Sequence, residues 1–558
     1  MKQFSAVLVF SALLLTAVDN CLADDDATPD LIMQRVSIAQ SSADAEATVV
    51  NILISNRKIV LVSEEEIPAD DQAIVKDTSG GYLIGRIGIG SAADFVILDV
   101  NPAGNVRVLA DTAPHVKFAI SDGIIIKNEL GALAAQSTDS DAVVPEAPAP
   151  VKTSRWIAYA PPPFALSTSI DVDKKWNAFD TKYVDGIVVS AVLLDRGNWV
   201  SQNSASETQP GIGDLSAYDG GTIRGFRFGV GGTIKLKRPW VYSIGGAANA
   251  FDLGFDSDDT DSFTFFDVRV DIPMSDTMTL SVGKQKEPLS LERTMTLIQA
   301  PAQERTAAAD AMMPSRNVGV VLSGMALDSR MTWATGLFND WIENDESFSD
   351  SASQAVGRVT WLPTISDDES NLIHLGAGIR YTDAKQGLRY KSRPEVGNAP
   401  NFVDTQLFDA DSSTLYSLEA AWRSGPNWVT AEYVSNHVDA PQFGNPTFSG
   451  YHIGGTWTLS GEMRPYNRRS GAIGSLPVAQ NIHQGGYGAV ELGARWSDVD
   501  LADGLIDGGD MQIATIGVSW WLSNIFSVSL NYESIWLDRA GSKSRADVLV
   551  TRVLLSTD

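Results

Sequence analysis

The stretch Phe266-Asp267-Val268-Arg269-Val270-Asp271-Ile272 alternates between apolar and charged side chains. Side chains of a β-strand point alternately to its two faces, so a strand here would carry four apolar groups on one face and three charges on the other. The same two-residue period recurs at 416–423, 429–433, 490–497 and 526–536. The pattern predicts an all-β chain built from long antiparallel strands with one apolar and one polar face.

Two kinds of fold use such strands, a soluble β-sandwich and a transmembrane β-barrel. The barrel is favoured because short connections alternate with long ones and because aromatic residues recur near strand ends, as in the girdles of a lipid-facing barrel. These aromatic residues are Trp422, Trp428, Trp496, Trp520, Trp521 and Trp536. The residues from 164 to 558 suit an antiparallel transmembrane barrel of about 16 strands, wide enough for an aqueous lumen.

The first residues indicate export from the cytoplasm. Lys2 precedes an apolar run over 4–18, and the small Ala23 stands before three consecutive aspartates. This predicts a signal peptide over 1–23, whose apolar run is too short to span a bilayer in the mature protein. No later apolar run reaches the length of a transmembrane helix, and the mean hydropathy is −0.04. A membrane location therefore depends on strands.

Proline and charge divide the remainder into three parts. Short β-like runs at 49–54, 59–62, 82–89, 95–100, 106–109, 116–120 and 124–126 predict a small all-β domain within 24–135. A proline-rich stretch over 136–163 predicts a semi-rigid linker, and the barrel follows over 164–558. We expect the small domain to lie in the periplasm, where it docks on the barrel mouth, forms trimers or binds the cell wall.

Composition excludes several classes of function. The net charge of −27 argues against nucleic acid as a partner, and the single cysteine, Cys21, falls within the predicted signal peptide. Five histidines show no metal-ligand spacing, and no GxSxG motif is present. We therefore predict no catalytic residue, metal or cofactor. A surface-binding adhesin barrel and an outer-membrane hydrolase are the alternatives to a channel.

Several blocks of sequence resemble the phosphate-selective porin O and P family. They are GKQKEPLSLER at 283–293, ER at 304–305, PSRNVGV at 314–320, WTLSGEMRPY at 457–466 and GAVELGARWS at 488–497. The resemblance implies a trimeric 16-stranded outer-membrane barrel with a pore narrowed by an inward-folded loop. The chain departs from the family in its N-terminal domain and in ending Leu555-Ser556-Thr557-Asp558 without an aromatic residue. Residues 548–555 still predict a closing strand.

The predicted function is passive diffusion of small hydrophilic solutes or ions, with anions such as phosphate as one possibility. Selectivity in such pores comes from charges at the constriction, and arginine suits phosphate because its planar fork donates two parallel hydrogen bonds. The candidate pore residues are Lys284, Lys286, Arg293, Arg305, Arg316, Arg269, Arg423 and Arg495. A wider set of inward-facing cations adds Arg224, Arg227, Arg380 and Arg552.

Acidic clusters at 256–261, 343–350 and 367–369 are predicted to be solvated loops. They carry much of the negative charge, so net charge does not decide the constriction. The expected partners are outer-membrane lipid and lipopolysaccharide, small ions or solutes, and two further copies of the chain in a homotrimer.

Overall fold

A computed structural model describes two bodies of β-structure. The described residues are 31–38, 48–55, 58–63, 67, 74–78, 82–86, 93–99, 116–121, 124–128, 177–209, 211–248, 264–340, 351–366, 368–385 and 387–557. The predicted signal peptide, the linker over 136–163, the strand expected at 106–109, the boundary at 164 and the acidic stretches 256–261 and 343–350 lie outside these residues.

The N-terminal body is a twisted sheet whose strands are β1 (Leu31–Ile38), β2 (Thr48–Ser55), β3 (Lys58–Ser63), β4 (Ile74–Asp77), β5 (Tyr82–Arg86), β6 (Asp94–Leu98), β7 (Val116–Ser121) and β8 (Ile124–Asn128). Their order is β3-β2-β1-β5-β6-β7-β8, with β4 parallel to β1. Met33, Ile52, Phe95 and Phe118 are buried in its core. Apolar burial of this kind is the main force that holds so small a sheet together.

The sequence patterns do not predict β1, an interior strand that pairs with β2, β4 and β5. Arg35 has a φ of +59° and the register shifts between Met33 and Val36, so a bulge interrupts the alternation within β1. The backbone N–H of Arg35 donates instead to the Asn51 side chain at 2.9 Å. A bulge adds one residue to a strand and reverses the faces beyond it, which hides the strand from a search for period two.

Sixteen strands close into an antiparallel barrel, as predicted. They are β10 (Val184–Gln202), β11 (Gly220–Ile234), β12 (Trp240–Ala248), β13 (Thr264–Pro273), β14 (Met278–Gln285), β15 (Asn317–Ala326), β16 (Met331–Asn339), β17 (Ser353–Ile365), β18 (Asn371–Asp383), β21 (Ser412–Ser424), β22 (Asn427–Asp439), β23 (Thr447–Thr458), β26 (Ala489–Asp503), β27 (Ile506–Ser523), β28 (Phe526–Arg539) and β29 (Ser542–Ser556). The predicted closing strand is β29, which pairs with β10.

Short strands complete the β-structure. β9 (Ala178–Asp180) pairs with β10, β19 (Lys391–Ser392) with β20 (Val403–Asp404), and β24 (Tyr466–Asn467) with β25 (Ala472–Ile473). The helices are α1 (Ser204–Glu207), α2 (Leu291–Thr294) and α3 (Ala307–Met312). Among the described residues, no helix combines the length and hydropathy needed to cross a membrane.

The wall of the barrel has the two faces that the alternation predicts. On β21, Tyr416, Leu418 and Trp422 are exposed outward, whereas Glu419 and Arg423 are buried on the inside. Outward apolar side chains suit lipid, and inward polar ones suit a lumen. Large apolar groups exposed on many strands, such as Ile516 at 62 % and Leu530 at 43 %, continue the apolar band.

Phe266 does not face lipid, contrary to the prediction. The register between β12 and β13 shifts between Ile244 and Gly246, so that Phe266 and Asp267 are both buried. The bulge reverses the face of Phe266 relative to Val268, which stays outward at 38 % exposure. Phe266 packs in an inner apolar cluster, and Arg316 lies over its ring at 3.4 Å from the centroid.

Two of the predicted girdle tryptophans also point inward. Trp428 is 2 % exposed and Trp521 is 6 % exposed, and each packs against side chains of the segment 459–488. By contrast, Trp422 and Trp520 are more than 40 % exposed on the outside. The prediction was wrong for Trp428 and Trp521 because a tryptophan near a strand end also serves to pack chain folded into the lumen.

The connections define two ends of the barrel. At the turn end, seven connections include 274–277, 366–370 and 425–426, and all but one are short. The exception is the 30-residue return segment, 459–488, between β23 and β26. At the loop end lie the crossing loop, 286–316, and the mouth loop, 384–411. These three long segments fold inward and determine the shape of the lumen.

Candidate constriction of the lumen

The crossing loop is tied to the barrel wall at β11 and β29 by Glu304. Arg224 on β11 donates from Nε and Nη2 to the two carboxylate oxygens, each at 2.8 Å, and Arg552 on β29 donates to the same carboxylate. Arg552 also binds Asp195 through two hydrogen bonds of 2.8 and 2.7 Å. Since the loop leaves the wall at β14, these contacts hold it across the barrel interior.

Electrostatics keep the Glu304 carboxylate ionised. Burial raises its pKa, but the guanidinium charges of Arg224 and Arg552 lower it further, so that the pKa lies below the usual 4.5. Charge-assisted, bidentate arginine–carboxylate bonds are among the strongest hydrogen bonds in proteins. The tie is therefore an ion pair at neutral pH.

A second set of contacts joins the crossing loop to the mouth loop. Glu395 of the mouth loop accepts hydrogen bonds from the Ala307 N–H at 3.0 Å and from Ser497 Oγ at 2.6 Å. Arg495 on β26 donates one hydrogen bond to the Glu395 carboxylate and another to the Glu304 carbonyl of the crossing loop. Its guanidinium also lies 3.6 Å from the Glu292 carboxylate. One arginine thus connects two loops to the barrel wall.

The pKa values of the two glutamates around Arg495 shift in opposite directions. For Glu292, burial raises the pKa, but His452, Arg495 and the Thr306 hydroxyl lower it below its usual value. For Glu395, burial dominates and the pKa is raised, although Arg495 opposes this effect. The arrangement gives two nearby carboxyl groups unequal affinity for a proton.

The crossing loop also lies directly against the wall at β18 and β21. Ser417 Oγ donates to the Leu289 carbonyl at 2.6 Å. A Cβ atom at Gly378 would lie 2.1 Å from the same carbonyl oxygen, so glycine is needed for this approach. Nearby, the Glu287 carboxylate accepts from Arg380 Nε at 2.6 Å and from the Asn317 amide at 2.7 Å.

The return segment enters the lumen from the turn end. Arg464 makes a two-point ion pair with Glu491 on β26, with N–O distances of 2.8 and 2.6 Å. Arg358 on β17 donates to the carbonyls of Ser470 and Gly471, both at 2.8 Å. Tyr466 is hydrogen-bonded to His374 of β18 at 2.6 Å. These contacts hold the return segment against the inner wall.

The crossing loop and the return segment meet inside the barrel. Leu291 and Met295 of the crossing loop share one buried apolar cluster with Tyr466 and Ile473 of the return segment and with Trp428 of the wall. One segment from each end of the barrel thus occupies the lumen, and the two meet against the same part of the wall.

Two cavities adjoin the segments that fold into the lumen. A cavity of about 70 Å³ lies beside the crossing loop, and its charged lining residues are Glu292, Glu432, His452, Glu491 and Arg495. A cavity of about 560 Å³ lies at the loop end, lined in part by Tyr218, Arg393, Asn398, Asp404 and Arg539. The larger cavity thus adjoins the mouth loop, and the smaller one lies between the crossing loop and the wall from β22 to β28.

The two predicted pore lysines stand where the crossing loop begins. Lys284 lies on β14 in register with Val268 and Val318, and it is 9 % exposed. Lys286 is the first residue of the crossing loop, and its Nζ donates to the Met295 carbonyl at 2.6 Å. Their influence on selectivity stays a prediction.

Three of the predicted arginines converge on the crossing loop. Arg293 is fully buried and donates to the carbonyls of Ala309 and Met313 at 2.9 Å, and Arg305 donates to the carbonyls of Glu292 and Met295. Both side chains therefore stabilise the conformation of the crossing loop, to which they belong. Arg495 is the third, and it reaches the loop from the wall.

The other three predicted arginines lie away from the Arg293–Arg305–Arg495 group, although Arg316 is the last residue of the crossing loop. Arg269 is 3.3 Å from Asp271, and Arg316 is 3.6 Å from Asp267, both near β13. Arg423 lies at the turn end, where it donates to the carbonyls of Arg464 and Glu369. The structure thus separates the predicted set into a loop group, a β13 group and a turn-end residue.

Sequence reasoning missed Arg358 and Arg464 as candidates. Arg358 binds Glu419 at 2.8 Å and Arg464 binds Glu491, so both form ion pairs with inward carboxylates. The alternation places Glu419 and Glu491 on polar strand faces, and a search for their partners would have found the two arginines. No cluster of metal-ligating side chains occurs among the residues that the structure describes.

Comparison with known proteins gives a consistent result. The family model for the phosphate-selective porins O and P matches residues 199–556. An uncharacterised protein of Caulobacter vibrioides is 25 % identical over 402 residues, which cover 69 % of this chain and 76 % of that protein. Porin O of Pseudomonas aeruginosa is 23 % identical over 354 residues, covering 57 % and 77 % of the two chains.

Solved structures with a similar fold include two channels. The outer membrane channel DcaP of Acinetobacter baumannii has a TM-score of 0.42 at 11 % identity, covering 68 % of this chain and 99 % of its own. An anion-selective porin from Comamonas acidovorans has a TM-score of 0.39 at 13 % identity, covering 67 % and 99 %.

The family model spans most of the barrel, including the crossing loop and the return segment. The barrel itself, with its apolar outside and polar inside, has the architecture that such a family requires. The chain is therefore an outer-membrane porin that belongs to the phosphate-selective porin O and P family.

Proposed function

We propose that this porin lets small hydrophilic solutes and ions diffuse passively through a lumen whose narrowest level is formed by the crossing loop. The observation that carries the proposal is the Glu304 tie, which holds the loop across a closed barrel with a polar interior. A wall of this kind replaces lipid with water and charged groups along the solute's path. The proposal includes no bond chemistry.

We further propose that charge discrimination is weak rather than specific for phosphate. A phosphate-selective site needs guanidinium donors that the solute can reach. Around the crossing loop, Arg293 and Arg305 bond to carbonyls of the loop itself, and Arg495 bonds to Glu395. The smaller cavity is lined by three glutamates beside Arg495 and His452, which supports a mixed-charge path.

The assembly and the domain plan belong to the same proposal. Family membership supports a homotrimer in contact with outer-membrane lipid and lipopolysaccharide. We place a signal peptide over 1–23, the N-terminal domain of 24–135 in the periplasm, a linker over 136–163 and the barrel over 164–558. This orientation puts the turn end of the barrel on the periplasmic side, since outer-membrane barrels carry short turns there.

Planar-bilayer recording tests the proposal. Purified, refolded protein in a salt gradient should give ohmic conductance in steps of three, with a reversal potential near zero. Added phosphate should change the current no more than sulfate does. A strongly anion-selective potential with saturation by phosphate would replace the mixed-charge path with a phosphate site. A folded trimer without conductance would favour the surface-binding or hydrolase alternative.

A further inference from the structure

We infer that the N-terminal sheet is a lid on the turn end of the barrel and that it controls passage by clasping the return segment. This inference rests on the proposed function, because a lid has meaning only for a channel. It begins with two lysines of the sheet. Lys76 on β4 is 3 % exposed and Lys127 on β8 is 8 % exposed, although lysine is rarely buried without a partner.

Both lysines are buried against the barrel, Lys76 at a carboxylate and Lys127 at the backbone of the return segment. Lys76 Nζ lies 3.4 Å from the carboxylate of Asp368, in the 366–370 connection. Lys127 packs on the start of the return segment, where a Cβ atom at Gly461 would lie 3.1 Å from its Cε. The next residue, Glu462, is 3 % exposed, and the charge of Lys127 opposes the rise in its pKa that burial causes.

An apolar contact also joins the sheet to the return segment. Leu98, Val116 and Ala119 form a buried cluster on β6 and β7, and Ala479 of the return segment packs against it. The sheet thus touches the return segment near both of its ends and the neighbouring 366–370 connection.

The charges make this docking specific. Residues 1–150 carry 9 Lys and Arg against 21 Asp and Glu, and the remainder of the chain is acidic as well. Two acidic bodies repel each other at long range, so a stable interface needs local complementarity. The Lys76–Asp368 ion pair supplies it, together with the positive charge of Lys127, which acts on the adjacent Glu462.

The clasped segment is the one that narrows the lumen. Arg464 follows Glu462 by two residues and pairs with Glu491 of the wall, and Tyr466 bonds to His374. The sheet therefore holds the outer side of a segment whose inner side fills the barrel. Release of the sheet frees this segment to move and widens the path at the turn end.

Crosslinking in the full chain tests the docking. With Cys21→Ser, a Lys76→Cys/Asp368→Cys double variant should crosslink in outer-membrane vesicles through a short bifunctional methanethiosulfonate. A Lys117→Cys/Asp368→Cys variant is the matched control, since Lys117 pairs with Asp99 within the sheet and is 36 % exposed. Equal crosslinking of the two variants, or none in the first, would overturn the docking.

Conductance tests the control of passage. The K76E/K127E variant replaces attraction by repulsion at both contacts and should show a larger single-channel conductance than wild type or the K117E control. Adding D368K and E462K to K76E/K127E restores opposite charges and should return the wild-type value. Successful crosslinking with unchanged conductance in K76E/K127E would overturn the lid. Silence of every variant, including K76E/K127E, would instead overturn the proposed function, while the crosslink would still report docking.

Discussion

Replacing Glu304 by glutamine should release the crossing loop while the barrel stays folded. The substitution keeps the size of the side chain and removes the charge that Arg224 and Arg552 share. Arg552 retains its two hydrogen bonds to Asp195, whereas Arg224 loses its bidentate partner. The variant thus leaves one buried guanidinium poorly compensated.

The size of the effect follows from burial. The Arg224 and Glu304 side chains are 2 % and 7 % exposed, so solvent screens the pair little. Removing one partner of a buried ion pair costs about 3–5 kcal/mol. Because Asp195 still compensates Arg552, we expect the lower limit of about 3 kcal/mol, which is roughly a hundredfold shift toward the released loop.

Single-channel recording measures this shift. E304Q should show a larger and noisier open-channel current than wild type, since the loop leaves the lumen for part of the time. The control is D276N, whose acid side chain is 86 % exposed in a surface pair with Arg238. If folded E304Q trimers conducted as quietly as wild type and D276N, the Glu304 tie would not set the constriction.

The same tie gives wild type a pH dependence. The pKa of Glu304 is lowered in the folded protein. The ionised carboxylate therefore stabilises the docked crossing loop fully above the ordinary pKa of 4.5, and this stabilisation is lost as the pH falls through the lowered value. Wild-type current should therefore be steady from neutral pH to about 5 and become noisy, like that of E304Q, only in stronger acid. A change already near pH 6 would point to a different group.

Three further perturbations separate the parts of the molecule. K284E and K286E, made singly, should move the reversal potential toward cations if these lysines face the path, and an unmoved potential would remove the lysine concerned from the pore. G378A should displace the crossing loop at Leu289 and raise conductance, whereas G357A should not, since a Cβ there meets its nearest atom at 3.7 Å. F118A should lower the free energy of unfolding of the N-terminal sheet in urea by about 3–5 kcal/mol, because Phe118 is fully buried. The heat-dependent shift of the barrel on a denaturing gel should not change. If the barrel lost this shift as well, the two bodies would unfold together.

The barrel could be predicted from the sequence because its wall repeats one simple rule. Outward residues of β21 such as Leu418 must suit lipid and inward ones such as Glu419 must suit the lumen, so the period survives across the strands. The rule fails at bulges. One bulge turned Phe266 inward, and another hid β1 around Arg35.

The constriction was harder to predict because its contacts join distant parts of the chain. Glu304 meets Arg552, 248 residues away, and Arg495 meets Glu395, 100 residues away. Neither pairing has a periodic signal. The family resemblance predicted an inward loop, but the return segment was not predicted, since a long connection at the short-turn end breaks the alternation of connections that the wall otherwise follows.

Ion pairing inside the lumen has a structural consequence for selectivity. Beside their apolar contacts, the segments folded into the barrel are positioned by arginine forks such as Arg358, which holds both Glu419 and the return segment. A buried ion pair fixes geometry more than it adds stability. Removing a carboxylate to expose an arginine to the solute would therefore also loosen the segment that the arginine holds. We therefore expect charge selectivity and pore width to be coupled through these arginines, so that a substitution that changes one should change the other.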